Sequence, residues 1–276
     1  SDEDPLEHPV EHDAHPSRVA LSDTSKEANM PLFPGAEPYS ADGGSTGILL
    51  LHGFTGSPKS MTPWGQQLAA QGHTVRVPRL PGHGTRWQDM NLTRWEDWYA
   101  EADRSLVELQ RACNIVFVCG LSMGGSLTLR LAEKHGDAIR GIVLVNPAVH
   151  SERPDRFLLP VLQAVIPSFP GISNDIKKPG QNEGAYDKIP LKAAHSLTKL
   201  WKAVKEDIAS VRQPLLLFRS AVDHVVEASN SRFIRDHVSS TDVTEVVLPE
   251  SYHVATLDND AETIVAGSID FVRRLS

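Results

Sequence analysis

The sequence predicts an α/β fold in which a mostly parallel central sheet is flanked by helices and carries a cap (lid) insertion. Two observations predict the sheet and its helices: short β-branched apolar runs recur from Gly47 onward, and amphipathic stretches separate them. A proline-rich interruption at 147–196 predicts the cap. The chain has 276 residues, 40% of them apolar, which is enough for one large domain with its own core.

The strands are predicted from apolar runs that are nearly continuous, as expected when both faces of a sheet are covered. Helices are predicted where the apolar residues recur at helical spacing. The predicted strands are 47–52, 74–78, 114–119, 141–146, 214–219 and 243–248. The predicted helices are 58–71, 94–111, 123–135, 197–210, 228–238 and 260–274.

Residues 147–196, here named the cap segment, interrupt this alternation. They contain seven prolines, no convincing strand and an apolar run at 157–166. A stretch of this length without clear elements is more often a functional insertion than a plain loop. We therefore expect one domain at 30–276, with the cap segment covering the edge of the sheet that carries the site.

Residues 1–29 carry most of the negative charge of the chain. They hold eight acidic and two basic residues, whereas the formal charge of the whole chain is −8. Few large apolar side chains occur there, so we expect an acidic, flexible extension. The nearly neutral remainder has no basic stripe, which predicts that no nucleic acid is a partner. With neither a membrane-spanning run nor an intact signal peptide visible, the expected localisation is cytoplasmic.

The sharpest motif is Gly120-Leu-Ser122-Met-Gly124, between a predicted strand and a predicted helix. A tight turn of this kind lifts a serine hydroxyl out of the sheet, and glycines on either side avoid collisions with the neighbouring strand and helix. The N-terminus of the helix also carries a partial positive charge, close to where negative charge would develop during a reaction. The pattern predicts Ser122 as a nucleophile.

A serine nucleophile needs a general base and a carboxylate that orients the base. Asp223 and His253 each follow a predicted strand, and neighbouring parallel strands end at the same edge of a sheet. We therefore predict His253 as the general base and Asp223 as its orienting residue. His224 is a weaker alternative, because a residue adjacent to Asp223 seldom lets the carboxylate reach its ring. Asp258 and Asp260 are predicted to cap the last helix.

An oxyanion hole needs two backbone N–H donors close to the nucleophile. Met123 directly follows Ser122, and Phe54 lies in the Gly-rich loop after the first strong strand. We predict their N–H groups as the donors, with His52 as a buried histidine that braces the loop. No phosphate-binding loop and no spaced set of metal ligands is visible, so neither cofactor nor metal is predicted.

Five short segments strengthen this interpretation through a family resemblance. They are His-Gly-Phe-Thr-Gly at 52–56, Pro-Gly-His-Gly at 81–84, Gly-Leu-Ser-Met-Gly-Gly at 120–125, Asp-His-Val-Val at 223–226 and Ser-Tyr-His-Val-Ala-Thr-Leu-Asp at 251–258. Together they resemble the α/β-hydrolase superfamily and, within it, the bacterial carboxylesterase and monoacylglycerol lipase group. The resemblance covers about residues 32–275, although residues 153–160 match no motif of that group.

The resemblance implies the same triad and oxyanion hole, and it implies that Ile172 and Glu183 meet the glycerol part of a substrate. The expected activity is hydrolysis of monoacylglycerols or of short to medium or long acyl esters through an acyl-enzyme. An acyl thioesterase or a peptidase would use the same triad, and a weakly catalytic ligand receptor is a further alternative. The expected partner is a small-molecule ester, and the apolar cap segment also allows transient contact with lipid surfaces.

Overall fold

The central feature of the fold is a seven-stranded sheet in the order β1-β3-β2-β4-β5-β8-β9. The computed structural model describes residues 31–276, so the predicted extension at 1–29 lies outside the described residues. The strands are β1 Tyr39–Ala41, β2 Thr46–Leu51, β3 Thr74–Val77, β4 Ile115–Leu121, β5 Gly141–Val145, β6 Ser168–Pro170, β7 Lys188–Pro190, β8 Leu215–Ser220 and β9 Val243–Leu248.

The sheet confirms the predicted α/β class. The six predicted strands are present, with ends shifted by no more than two residues, and each pairs in parallel with its neighbours among them. Strand β1 was not predicted, and it pairs antiparallel with β3 at the edge. Its three residues, Tyr39-Ser-Ala41, form no apolar run, so a periodicity argument has no signal there.

Helices cover both faces of the sheet. They are α1 Thr62–Ala70, α2 Trp87–Met90, α3 Trp95–Ala112, α4 Met123–His135, α5 Leu159–Val165, α6 Leu191–Asp207, α7 Ser229–His237 and α8 Ala261–Leu275. Helix α6 begins six residues before the predicted start, because Pro190 stands at its N-cap and Leu191 already faces the core. The short helices α2 and α5 were not predicted.

The period-two geometry of strand β2 divides the core into two layers. Leu49 and Leu51 face α3, α4 and α6, where they join a buried cluster that includes Trp98. Ile48 and Leu50 face α1 and α8 and join a second cluster that includes Trp64 and Phe271. Burying a large apolar side chain contributes roughly 1.5–3 kcal/mol. Both layers therefore hold the sheet rigid beneath the loops at its carboxyl edge.

The cap segment contains more regular structure than the sequence suggested. Besides α5, it includes the antiparallel pair β6 and β7, in which Phe169 faces Ile189 across the ladder. The expectation of no strand is thus wrong, because two strands of three residues each, both containing a proline, are too short to produce a visible pattern. Within residues 31–276, no helix has both the length and the apolar character needed to cross a membrane.

Candidate active site

Ser122 occupies the sharp turn between β4 and α4. Its φ of 56° and ψ of −117° lie in a region that ordinary residues avoid, at a cost of about 1–3 kcal/mol. A Cβ atom on Gly120 would collide with the carbonyl of Gly124, and one on Gly124 would collide with the carbonyl of Leu51. The two glycines therefore permit the close approach of strand and helix that the turn requires.

His253 and Asp223 meet at the carboxyl edge of the sheet, on the loops that follow β9 and β8. The Nδ1 atom of His253 lies 2.8 Å from Oδ2 of Asp223, and both side chains are almost fully buried. The other oxygen of Asp223 accepts hydrogen bonds from the N–H groups of Val225 and Val226, each at 2.8 Å. Asp223 is thereby fixed in the orientation that holds Nδ1 and leaves Nε2 for another partner.

The electrostatics of this pair favour charge separation. Burial opposes ionisation of Asp223, but the charge and the hydrogen bond of His253, together with two backbone donors, hold the pKa of Asp223 below its ordinary value. Burial likewise opposes protonation of His253, yet Asp223, Glu183 and Asp175 outweigh it and raise the pKa of His253. The site therefore stabilises an imidazolium, which is the form a base acquires when it takes a proton.

The hydrogen bonds of Ser122 within the described residues are made by its backbone. Its N–H donates to the carbonyl of Val145 at 3.0 Å, and its own carbonyl accepts from Ala148 at 3.2 Å. Within residues 31–276, no hydrogen bond joins its hydroxyl to the ring of His253. Hydrogen bonds between a nucleophile and its base are often long until a substrate binds. The missing bond between the Ser122 hydroxyl and His253 is therefore compatible with such a pair.

Two polar residues that the sequence analysis missed hold the loop of His253. Asn146, directly after β5, donates to the carbonyl of His253 at 2.8 Å and to the hydroxyl of Ser220 at 2.9 Å. Ser220 in turn donates to the carbonyl of Tyr252 at 2.8 Å. The position of Asn146 in the sequence could have identified it, because Asn146 follows a buried strand at the same sheet edge as Ser122.

The loop after β2 lies against Ser122. A Cβ atom on Gly53 would sit 3.4 Å from Cβ and 3.9 Å from Oγ of Ser122. Within residues 31–276, the backbone N–H groups of Phe54 and Met123 donate no hydrogen bond. The ring of Phe54 packs edge-on against Trp98, with centroids 5.9 Å apart. Two unpaired N–H donors therefore flank the turn that carries the serine.

His52 braces this loop from inside the protein. Its Nδ1 atom lies 3.0 Å from the carbonyl of Gly53, and its Nε2 atom accepts from the N–H of Leu80 at 3.2 Å. Burial is the main reason that the pKa of His52 falls to about 4. A neutral ring with both nitrogens engaged has no role as a base, which fits the predicted bracing function.

The two cap residues assigned to a substrate lie in different settings. Glu183 exchanges hydrogen bonds with Asn174: its Oε1 accepts from the Asn174 N–H and its own N–H donates to Asn174 Oδ1, both at 3.0 Å. Its Oε2 faces Gly56 of the loop after β2, and burial raises the pKa of Glu183. Ile172 is 55% exposed, in the connection that follows β6.

His224, Asp258 and Asp260, which also follow the last two strands, have other partners. His224 binds Asp175 rather than a serine, with 2.7 Å between Nδ1 and Oδ1. The prediction that Asp258 caps the last helix is wrong, because its carboxylate accepts from the N–H groups of Lys177, Lys178 and Tyr252. Asp260 does stand at the N-cap of α8, but its side chain accepts from Glu250.

The described range 31–276 contains no cluster of His, Cys, Asp and Glu side chains able to hold a metal ion. The two cysteines are free and buried, and burial raises the pKa of Cys119. A thiolate nucleophile is therefore disfavoured at Cys119. The chemistry available at the carboxyl edge is that of a hydroxyl, an imidazole, carboxylates and backbone donors.

Comparisons with known proteins find similar hydrolases over most of the chain. A family model described as serine aminopeptidase, S33, matches residues 45–260. A thermostable monoacylglycerol lipase from Bacillus sp. (strain H-257) is 42% identical over 87% of this chain and 96% of its own length. A carboxylesterase from Bacillus subtilis is 26% identical over 87% of this chain and 97% of its own. A solved structure of a metagenome-derived lipolytic enzyme is 38% identical, with a TM-score of 0.86, and covers 88% of this chain and 100% of its own.

Proposed function

Because the chain belongs to the serine aminopeptidase S33 family of α/β-hydrolases, we propose that it hydrolyses carboxylic esters through an acyl-enzyme on Ser122. His253 is the general base and Asp223 orients it. The observation that carries the proposal is the 2.8 Å contact between His253 and Asp223 at the same sheet edge as the strained Ser122 turn. Similarity to a lipase and a carboxylesterase over most of the chain supports the same reaction.

In the first half of the reaction, Nε2 of His253 takes the proton of the Ser122 hydroxyl while Oγ forms a bond to the ester carbonyl carbon. The carbonyl oxygen becomes an oxyanion, and the N–H groups of Phe54 and Met123 donate to it. The C–O bond to the alcohol then breaks, and the proton on His253 passes to the departing oxygen. Water repeats the sequence, releasing the carboxylic acid and restoring the serine.

The substrates we favour are monoacylglycerols and esters whose acyl chains are short to medium or long. The carboxyl group of Glu183 faces the loop that supplies one oxyanion donor, where it could bind a glycerol hydroxyl. Ile172 would add an apolar contact from the cap segment. A 42%-identical relative is named as a monoacylglycerol lipase, which supports this substrate class.

We assign the acyl chain to a cavity beside the cap segment, whose wall combines apolar residues with the charged residues Glu152 and Lys205. It has a volume of about 590 Å³ and includes Phe157, Trp201 and Phe233 in its wall. His150 also lines it, two residues after Ala148, whose N–H donates to Ser122. The apolar side chains Phe157, Val161, Val165 and Phe169 are more than half exposed on the cap segment, which supports transient contact with a lipid surface.

Peptide hydrolysis is a second candidate, since the matched family is described as an aminopeptidase. The carboxyl group of Glu183 could equally receive a substrate ammonium group. Parallel assays of a monoacylglycerol, an acyl thioester and an aminoacyl p-nitroanilide separate the candidates. Ester hydrolysis is supported if kcat/KM for the monoacylglycerol exceeds that for the other two substrates by at least a hundredfold.

The direct test of the nucleophile is Ser122→Ala, measured on p-nitrophenyl butyrate and on a monoacylglycerol. Loss of a serine nucleophile lowers kcat by roughly 10⁴-fold or more. The matched control is Ser210→Ala, because Ser210 is exposed and its hydroxyl donates to the carbonyl of Asp207. Full activity in the Ser122 variant would overturn the proposal.

A further inference from the structure

Asp175, in the cap segment, contacts the loops that carry both Asp223 and His253. Its Oδ1 lies 2.7 Å from Nδ1 of His224, the residue that directly follows Asp223. Its Oδ2 accepts from the backbone N–H of His253 at 3.1 Å and from that of His224 at 3.3 Å. The side chain of Asp175 is only 10% exposed, whereas that of His224 is 50% exposed.

The neighbouring backbone keeps this carboxylate in place. The carbonyl of Asp175 accepts from the N–H of Val254 at 3.1 Å. The next residues, Lys177 and Lys178, donate their N–H groups to Asp258, at 2.6 and 2.8 Å. Because Asp258 lies five residues after His253, the cap segment is tied to both ends of the loop that carries the base.

We propose that Asp175 is a positioning residue, which holds the loops of Asp223 and His253 in register and couples the cap segment to the general base. The inference rests on the proposed function, since it takes His253 to be that base. An ordinary surface ion pair would join two side chains, whereas this carboxylate also receives backbone donors from two separate loops. Asn174, the preceding residue, binds Glu183, so the same short stretch connects the proposed headgroup site to the base.

The charge of Asp175 gives this role a measurable consequence. The charged groups that face His253 are Asp223, Glu183 and Asp175, and each raises the pKa of His253. His253 must be neutral to accept the proton of Ser122, so kcat/KM falls as pH drops through its pKa. Removing the charge of Asp175 lowers that pKa and moves the acidic limb of the profile to lower pH.

The test is Asp175→Asn, which preserves the shape of the side chain but removes its charge and replaces one of its two acceptor oxygens with an amide donor. We expect kcat for p-nitrophenyl butyrate to fall by about tenfold to a hundredfold, because small displacements of a base are costly. KM should stay within about twofold, and the acidic limb should move to lower pH. The control is Asp270→Asn, which removes the same charge from an exposed pair with Arg273.

A purely structural role would give a different result, namely a lower Tm with unchanged kcat and an unchanged acidic limb, and that result would overturn the inference. If Asp175→Asn does not fold, His224→Ala tests the same contact from an exposed position. It should lower kcat about threefold or more, and an unchanged kcat would equally overturn the inference. The proposed function fails separately, if Ser122→Ala retains activity.

Discussion

The carboxyl edge of the sheet and the cap segment are built in different ways. At the sheet edge, Ser122 and Asp223 follow the buried strands β4 and β8, and His253 follows the half-buried edge strand β9. Asn146 and Ser220 add hydrogen bonds that hold the loop of His253. The cap segment exposes large apolar side chains. It is attached to the domain through hydrogen bonds to separate loops, such as that from the Tyr186 hydroxyl to the carbonyl of Gly82.

This difference separates two tasks. The rigid edge supplies the geometry that bond breaking requires, and the cap segment supplies contacts that select a substrate. Changes at the sheet edge should therefore abolish turnover for every ester. Changes in the cap segment should alter which ester is preferred, except at Asp175, where the two regions meet.

The largest expected difference between the two regions is in unfolding free energy, when one glycine in each region is replaced by alanine. Gly124→Ala would drive a Cβ atom into the carbonyl of Leu51, so we expect a loss of about 4 kcal/mol or more in unfolding free energy and no activity. Gly180, in the cap segment, has φ of +77° and open space around it. Gly180→Ala should cost only about 1–2 kcal/mol. Denaturant unfolding monitored by circular dichroism measures both, and equal losses would contradict the comparison.

The second comparison sets one carboxylate against another. Asp223→Asn should lower kcat about 10⁴-fold on all esters, because the amide no longer holds the required tautomer of His253. Glu183→Ala should raise KM for a monoacylglycerol about tenfold, as expected for one lost hydrogen bond to a hydroxyl. Its effect on p-nitrophenyl butyrate, which lacks glycerol, should be smaller. Steady-state kinetics on both substrates measure these KM values. An equal rise in KM for the two substrates would show that Glu183 does not bind the glycerol headgroup.

The smallest expected effect concerns the cavity. Thr198 lines it from α6, and Thr198→Phe would reduce its volume. We expect kcat/KM for p-nitrophenyl palmitate to fall about tenfold relative to the butyrate ester, since a displaced chain loses several buried CH₂ groups. Thr241→Phe, at an exposed position on another loop, is the control. An unchanged ratio would mean that the acyl chain lies elsewhere.

The strands and site residues that could be predicted from the sequence are those marked by a pattern of neighbouring residues. Continuous apolar runs marked the parallel strands, and position after those strands marked Asp223 and His253. Asp175 could not be found in this way, because its partners His224 and His253 lie 49 and 78 residues away along the chain. Strands β6 and β7 were missed because only three residues form each of them.

The central claim is that the Ser122 hydroxyl, activated by His253, attacks the substrate. The most direct measurement is labelling with a fluorophosphonate, followed by intact mass determination and peptide mapping, in the original chain and in Ser122→Ala and His253→Ala. We expect one adduct per chain, located on Ser122, with no labelling of the serine variant and much slower labelling of the histidine variant. An adduct on another residue, or undiminished labelling of Ser122→Ala, would contradict it.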